Sequence, residues 1–168
     1  MLQKVYSPIL FGGVAIAIVT NLFFLFNAVD LPSLTIGALI TNVVVVLLST
    51  VTFGFIVAGS GEFRTMEFTK VLKELMKLVA PLTVLIGAFT YILFRFLAAD
   101  LLELRVGEIR EIWEAAGDFT AEEIEKGIAN QKQWLSPFIQ TTFFFVATLV
   151  TGFFTSILVG LIAKKPGV

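Results

Sequence analysis

The chain contains no cysteine and no histidine in 168 residues, and only two tryptophans and two tyrosines. Without Cys there is neither a disulfide nor thiol chemistry. Without His, the commonest acid–base group near neutral pH and the commonest metal ligand are both missing. Most enzyme and metalloprotein readings fail on these absences, and no cofactor is expected. Charge is scarce as well, at 15% of residues with a formal net charge of −1. There is no basic patch of the kind nucleic acid requires.

What fills the space is apolar. Hydrophobic residues make up 57% of the chain, Phe alone occurs 18 times, and the mean hydropathy is +0.94, far from the composition of a soluble domain. A bilayer core about 30 Å thick needs roughly 20 apolar helical residues. Four uncharged runs meet that need: Val5 to Val29, Leu31 to Gly61, Leu78 to Phe94 and Gln133 to Ala163. The expected fold is an all-α integral membrane protein, one domain of four transmembrane helices at about 8–28, 34–58, 80–99 and 137–162. Its immediate partner is the lipid bilayer.

All five prolines stand near the edges of these runs. Ser7-Pro8 and Ser136-Pro137 each predict Ser at N-cap and Pro at the first helical position. Asp30-Leu31-Pro32 predicts a tight turn between the first two spans, and Pro166 follows the last. Pro81 lies near the entry of the third, where its missing N–H releases the carbonyl of Lys77. Lys4, the apolar stretch after it and Ala15-Ile16-Ala17 superficially fit a secretory signal. The run continues unbroken to Val29 and leads into another span, so the first segment is expected to be retained.

Orientation follows from Lys and Arg beside the spans. Lys4, Arg64, Lys70, Lys73, Lys77, Lys164 and Lys165 fall on one side, and Arg95, Arg105, Arg110, Lys126 and Lys132 on the other. The second side also holds nine carboxylates between Asp100 and Lys132, giving that stretch a net charge of −5. Both termini are therefore expected in the cytoplasm and the acidic connection outside.

Two segments between spans are amphipathic. In 65–79, Phe68, Val71, Leu72, Leu75, Met76 and Val79 recur at helical spacing opposite Glu67, Lys70, Lys73, Glu74 and Lys77. Such a helix either lies in the membrane interface or extends the third span. In 100–134, Leu102, Val106, Ile109, Trp113 and Ala116 form one stripe, Gly117-Asp118 ends the helix, and Thr120 to Glu123 is a capping box with Phe119 and Ile124 placed as a staple. This predicts a helical hairpin. Glu122, Glu123 and Glu125 invite a cation site, but acidic residues in a first helical turn answer to the helix dipole, and no oxygen-ligand loop spacing accompanies them.

Inside the spans the polar positions are few. Arg95 alone is charged, close enough to the outer boundary to snorkel or to pair with an acid of the next helix. Asn21, Asn42 and Gln140 are expected to join helices by hydrogen bonds or, alternatively, to line a narrow polar path. In the fourth span Thr148, Gly152, Ser156 and Gly160 repeat every four residues, a small-residue ladder for close helix packing against another span or another subunit.

The segment Phe119 to Pro137 (FTAEEIEKGIANQKQWLSP), running into an apolar span that ends Ile162-Ala-Lys-Lys-Pro166, resembles the domain-of-unknown-function 4199 family. These are four-span bacterial membrane proteins common in Bacteroidetes. The stretch Met66 to Met76 (MEFTKVLKELM), leading to Thr90-Tyr91, is similar to that family's middle region. The resemblance implies four spans, an acidic helical connection and a bacterial inner membrane, and it brings neither catalytic residues nor a substrate. The sequence thus favours a non-enzymatic structural, assembly or regulatory membrane protein, with a homo-oligomer or a membrane-protein partner as its expected company beside the bilayer. A small oligomeric channel or transporter is the alternative. A membrane-embedded enzyme comes third, since no nucleophile or carboxylate constellation supports it.

Overall fold

Uninterrupted apolar runs with prolines confined to their margins leave the backbone one way to satisfy itself, and a computed structural model shows it. Residues 2–163 are described; the Lys164-Lys165 flank and Pro166 lie outside the described residues. Six α-helices follow in order: α1 Leu2–Asn27, α2 Leu31–Gly59, α3 Phe68–Ile92, α4 Ala99–Ala116, α5 Ala121–Trp134 and α6 Pro137–Ala163. No strand occurs among the described residues. Helices α1, α2, α3 with its extension to Leu97, and α6 are long and apolar enough to cross a membrane.

Helices α2 and α3 form the shared centre, with α1 and α6 each packing on both of them. One buried cluster gathers Val46, Phe53, Leu75, Leu78, Leu82 and Val159 toward the chain's N-terminal end of the bundle. A second gathers Leu31, Leu34, Leu93, Phe94 and Phe144 at the end that carries α4 and α5. Phe94 and Phe144 meet edge to face there, 5.6 Å between centroids, a favoured aromatic geometry.

Local signals account for most helix ends. Asp30 caps α2 by accepting from the Ser33 N–H at 2.8 Å, with Pro32 in the first turn. Ser136 accepts from the Ile139 N–H at 3.4 Å as α6 opens on Pro137. Gly117 ends α4 with φ of 72°, a left-handed conformation that glycine adopts without steric cost.

One expectation is corrected and one alternative is decided. Ser7-Pro8 does not open the first helix, because α1 is already helical from Leu2 and Pro8 sits inside it. A proline in the second turn removes one backbone bond, while Leu2, Val5, Tyr6 and Ile9 pack on the first cluster and hold the added turn. Of the two readings of 65–79, the structure shows the extension of the third span and not a separate interfacial helix. Glu62–Thr65 is a 3-10 turn, and α3 then runs unbroken from Phe68 through Pro81. Val71, Leu75, Leu78 and Val79 are fully buried in the bundle, so the apolar face is spent on α1, α2 and α6 rather than on lipid. Phe119, beside the capping box, lies 5.9 Å from the Trp113 ring centroid of α4. At its far end α3 passes into a π-helical segment, Leu93–Leu97, closed by the Ala98 N–H donating to the Leu93 carbonyl at 2.8 Å.

Candidate functional site

The only side chain–side chain hydrogen bonds that join different long helices, among the described residues, start from two asparagines. Asn21 lies on the buried stripe Leu10, Gly13, Ala17, Asn21 of α1 and is 0% exposed. Its amide donates to the Asn42 Oδ1 of α2 at 2.8 Å and to its own Ala17 carbonyl at 2.7 Å. Asn42, also 0% exposed, donates to the Thr90 Oγ1 of α3 at 3.1 Å, and Thr90 donates to the Ile86 carbonyl at 2.9 Å. The four bonds form one directed chain across α1, α2 and α3.

The amide orientations are fixed by this network. Turning Asn21 over would set its Oδ1 against the Ala17 carbonyl, acceptor to acceptor. In the orientation that works, Asn21 Oδ1 is left without a partner among the described residues, as is Thr141 Oγ1. In apolar surroundings each interhelical bond of this kind contributes about 0.6 to 2 kcal/mol. The chain is a connector with one spare acceptor at its α1 end.

Gln140 and Arg95 stand apart from this chain. Gln140, at the start of α6, donates to the Trp134 carbonyl at 3.2 Å and so ties the end of α5 to α6. Arg95 is exposed and makes no ion pair with a described residue; its guanidinium rests 5.9 Å from the Phe96 ring centroid. The pairing with an acid of the next helix is not made.

Thr148, Gly152, Ser156 and Gly160 are all buried. A Cβ at Gly152 would collide with Val79 of α3 and come within 3.0 Å of Val46 of α2, and one at Gly160 would lie 3.2 Å from Phe68 of α3. The ladder therefore faces α3 and α2 of the same chain. The Thr148 and Ser156 hydroxyls donate to the carbonyls of Phe144 and Gly152, at 2.8 and 2.7 Å, within their own helix.

Two contacts escaped the sequence. Tyr6 of α1 donates to the Lys77 carbonyl of α3 at 3.0 Å, the carbonyl that Pro81 leaves free. The proline marked the acceptor, but nothing local marked the donor. In the hairpin, Trp113 lies against the backbone at Gly127, where any Cβ would overlap its ring.

The acidic connection is built from separate pairs. Thr120 and Glu123 form the reciprocal capping box, and the Thr120 backbone and side chain hold the Glu123 carboxyl below its ordinary value. Arg110 bridges α4 to α5 through Glu125 at 2.7 Å, lowering Glu125 by that hydrogen bond and by its charge. Glu122 pairs with Lys126 at 2.7 Å. The three carboxylates weighed as a cation site thus have three different partners, and no group of three or more acidic side chains suited to a metal is found among the described residues.

A family model described as a protein of unknown function, DUF4199, matches residues 9–165, nearly the whole chain. No curated protein matches it, and no solved structure does.

Proposed function

The chain belongs to the DUF4199 family of unknown function, and we propose that it is a non-enzymatic polytopic protein of a bacterial inner membrane with a structural, assembly or regulatory role. In this reading both termini are cytoplasmic, the α4–α5 hairpin projects on the outer side, and contacts to the bilayer, to a further copy or to another membrane protein carry the role. One observation supports it above the others: Asn21, Asn42 and Thr90 are spent on pairwise bonds between packed helices, where a conduit would need them facing a common lumen. The charge asymmetry between the lysines of α3 and the acidic hairpin supports the orientation.

The test is reconstitution of the purified chain in liposomes, together with mass spectrometry of proteins retained in nanodiscs. The expected result is no ion flux and a defined set of retained membrane proteins. A stable, partner-free oligomer that passes ions contradicts the reading. A reporter fused at Gly117 that is active only in the cytoplasm contradicts the orientation.

A further inference from the structure

Helices α3 and α6 leave an open groove of about 550 Å³ between them on the outer surface of the bundle, lined by Val84, Ala88, Tyr91, Phe138, Thr142 and Phe145 among others. It is almost wholly apolar, and α3 and α6 are both long and apolar enough to cross a membrane. One turn beyond Tyr91 on the same helix stands Arg95, an exposed cation with no ion pair among the described residues. The Tyr91 hydroxyl likewise makes no hydrogen bond with a described residue. Just past Arg95, Asp100 stands in the first turn of α4, exposed and in no ion pair with a described residue, while Glu103 lines a separate recess with Lys132.

From Val84 to Arg95 the helical rise comes to about 16 Å, and one leaflet of a bilayer core is about 15 Å deep. A chain laid in the groove from mid-membrane would therefore end at the height of Arg95, one turn past the groove-lining Tyr91, whose guanidinium now rests by Phe96. Along the chain the order of charge is a cation and then a carboxylate, Arg95 and Asp100, which complements a phosphodiester followed by an ammonium.

We propose that this groove holds one zwitterionic glycerophospholipid of the hairpin-side leaflet, its acyl chain between α3 and α6, its phosphate on Arg95 and its amine toward Asp100. An anionic headgroup without the amine would meet the same carboxylate uncompensated. The site rests on the reading that α3 and α6 cross a bilayer.

The test is native mass spectrometry of the full chain in detergent, titrated with palmitoyl-oleoyl phosphatidylethanolamine, the matching phosphatidylglycerol, and dioleoylglycerol. The wild type should keep one phosphatidylethanolamine above the statistical background, about tenfold more tightly than either other lipid. Ala88→Phe, which fills the groove from an exposed position, should weaken that adduct at least about tenfold. Arg95→Gln should leave phosphatidylethanolamine and dioleoylglycerol nearly equal. Equal retention by wild type and Ala88→Phe overturns the site, as does equal binding of all three lipids by the wild type. A doubled protein mass that Ala88→Phe abolishes without loss of lipid would assign the groove to a second copy and overturns it too. Membrane insertion is scored separately, by retention of each variant in alkali-washed membranes. A chain that stays inserted yet shows no groove-dependent adduct overturns the lipid site alone.

Discussion

Tyr6 donates its hydroxyl across the α1–α3 contact to the Lys77 carbonyl at 3.0 Å, four residues before the proline that denies this carbonyl its helical donor. The Tyr6 ring also meets Phe53 of α2 edge-on at 6.4 Å, so one side chain ties three helices at the same end. Tyr6→Phe keeps the ring and removes the bond, and should cost about 1 kcal/mol. Pro81→Ala restores an N–H to Lys77, so Tyr6→Phe should cost much less in that background. A double-mutant cycle on reversible unfolding in mixed micelles measures the difference, and additive costs would disprove the coupling.

The asparagine chain predicts an asymmetry. Asn42→Leu removes both interhelical bonds and should destabilise by about 1 to 3 kcal/mol. Asn21→Leu removes one of them together with the spare Oδ1 acceptor, and should cost under about 1 kcal/mol. The same unfolding assay ranks the two, and a larger loss for Asn21→Leu would show that its free oxygen has a partner.

Close approach at α6 predicts a contrast between glycines. Gly152→Ala forces a Cβ into Val79 and should cost about 1 to 3 kcal/mol. Val79→Ala should recover part of that loss. Gly12→Ala, with nothing within 4 Å of the added carbon, should be neutral or slightly stabilising, since alanine favours the helix by up to about 1 kcal/mol. Equal effects at the two positions would mean that α6 does not pack as tightly as Gly152 indicates.

How much of this was legible in the sequence depended on whether the signal was local. Asp30, Ser136 and the Thr120–Glu123 box begin helices through bonds to residues three positions away, and Gly117 ends one through its own left-handed backbone; all could be read. Ser7-Pro8 has the same spelling as Ser136-Pro137 yet caps nothing, because apolar residues before it pack on the core and extend the helix backward. The amphipathic face of 65–79 was visible, but hydrophobic periodicity does not distinguish a face bound to lipid from one bound to protein. Asn21 and Asn42 stood out as polar residues in apolar runs. Thr90, Tyr6 and Gly127 did not, since their roles depend on which helix lies opposite.

The hairpin should respond to acid. Glu123 and Glu125 are held below their ordinary values by Thr120 and by Arg110. A lowered folded value means that the stabilisation is complete above the unfolded value of about 4.3 and fades as pH falls through the folded one. Amide exchange protection in α5 should therefore drop on acidification below that range while the long helices keep theirs. Glu123→Gln, which retains a capping side chain without the titrating group, should flatten part of the response. An unchanged pH profile in that variant would remove the capping carboxylate from the explanation.

Because the chain lacks cysteine, single cysteines report without interference, and one accessibility measurement addresses packing against passage most directly. Asn42→Cys, Asp118→Cys and Thr69→Cys are treated in intact cells and in permeabilised cells with a membrane-impermeant thiol reagent. Asp118→Cys should react in intact cells, Thr69→Cys only after permeabilisation, and Asn42→Cys in neither while the protein stays folded. Ready labelling of Asn42→Cys in the folded protein would place water at the centre of the helices and contradict a packed, non-conducting core.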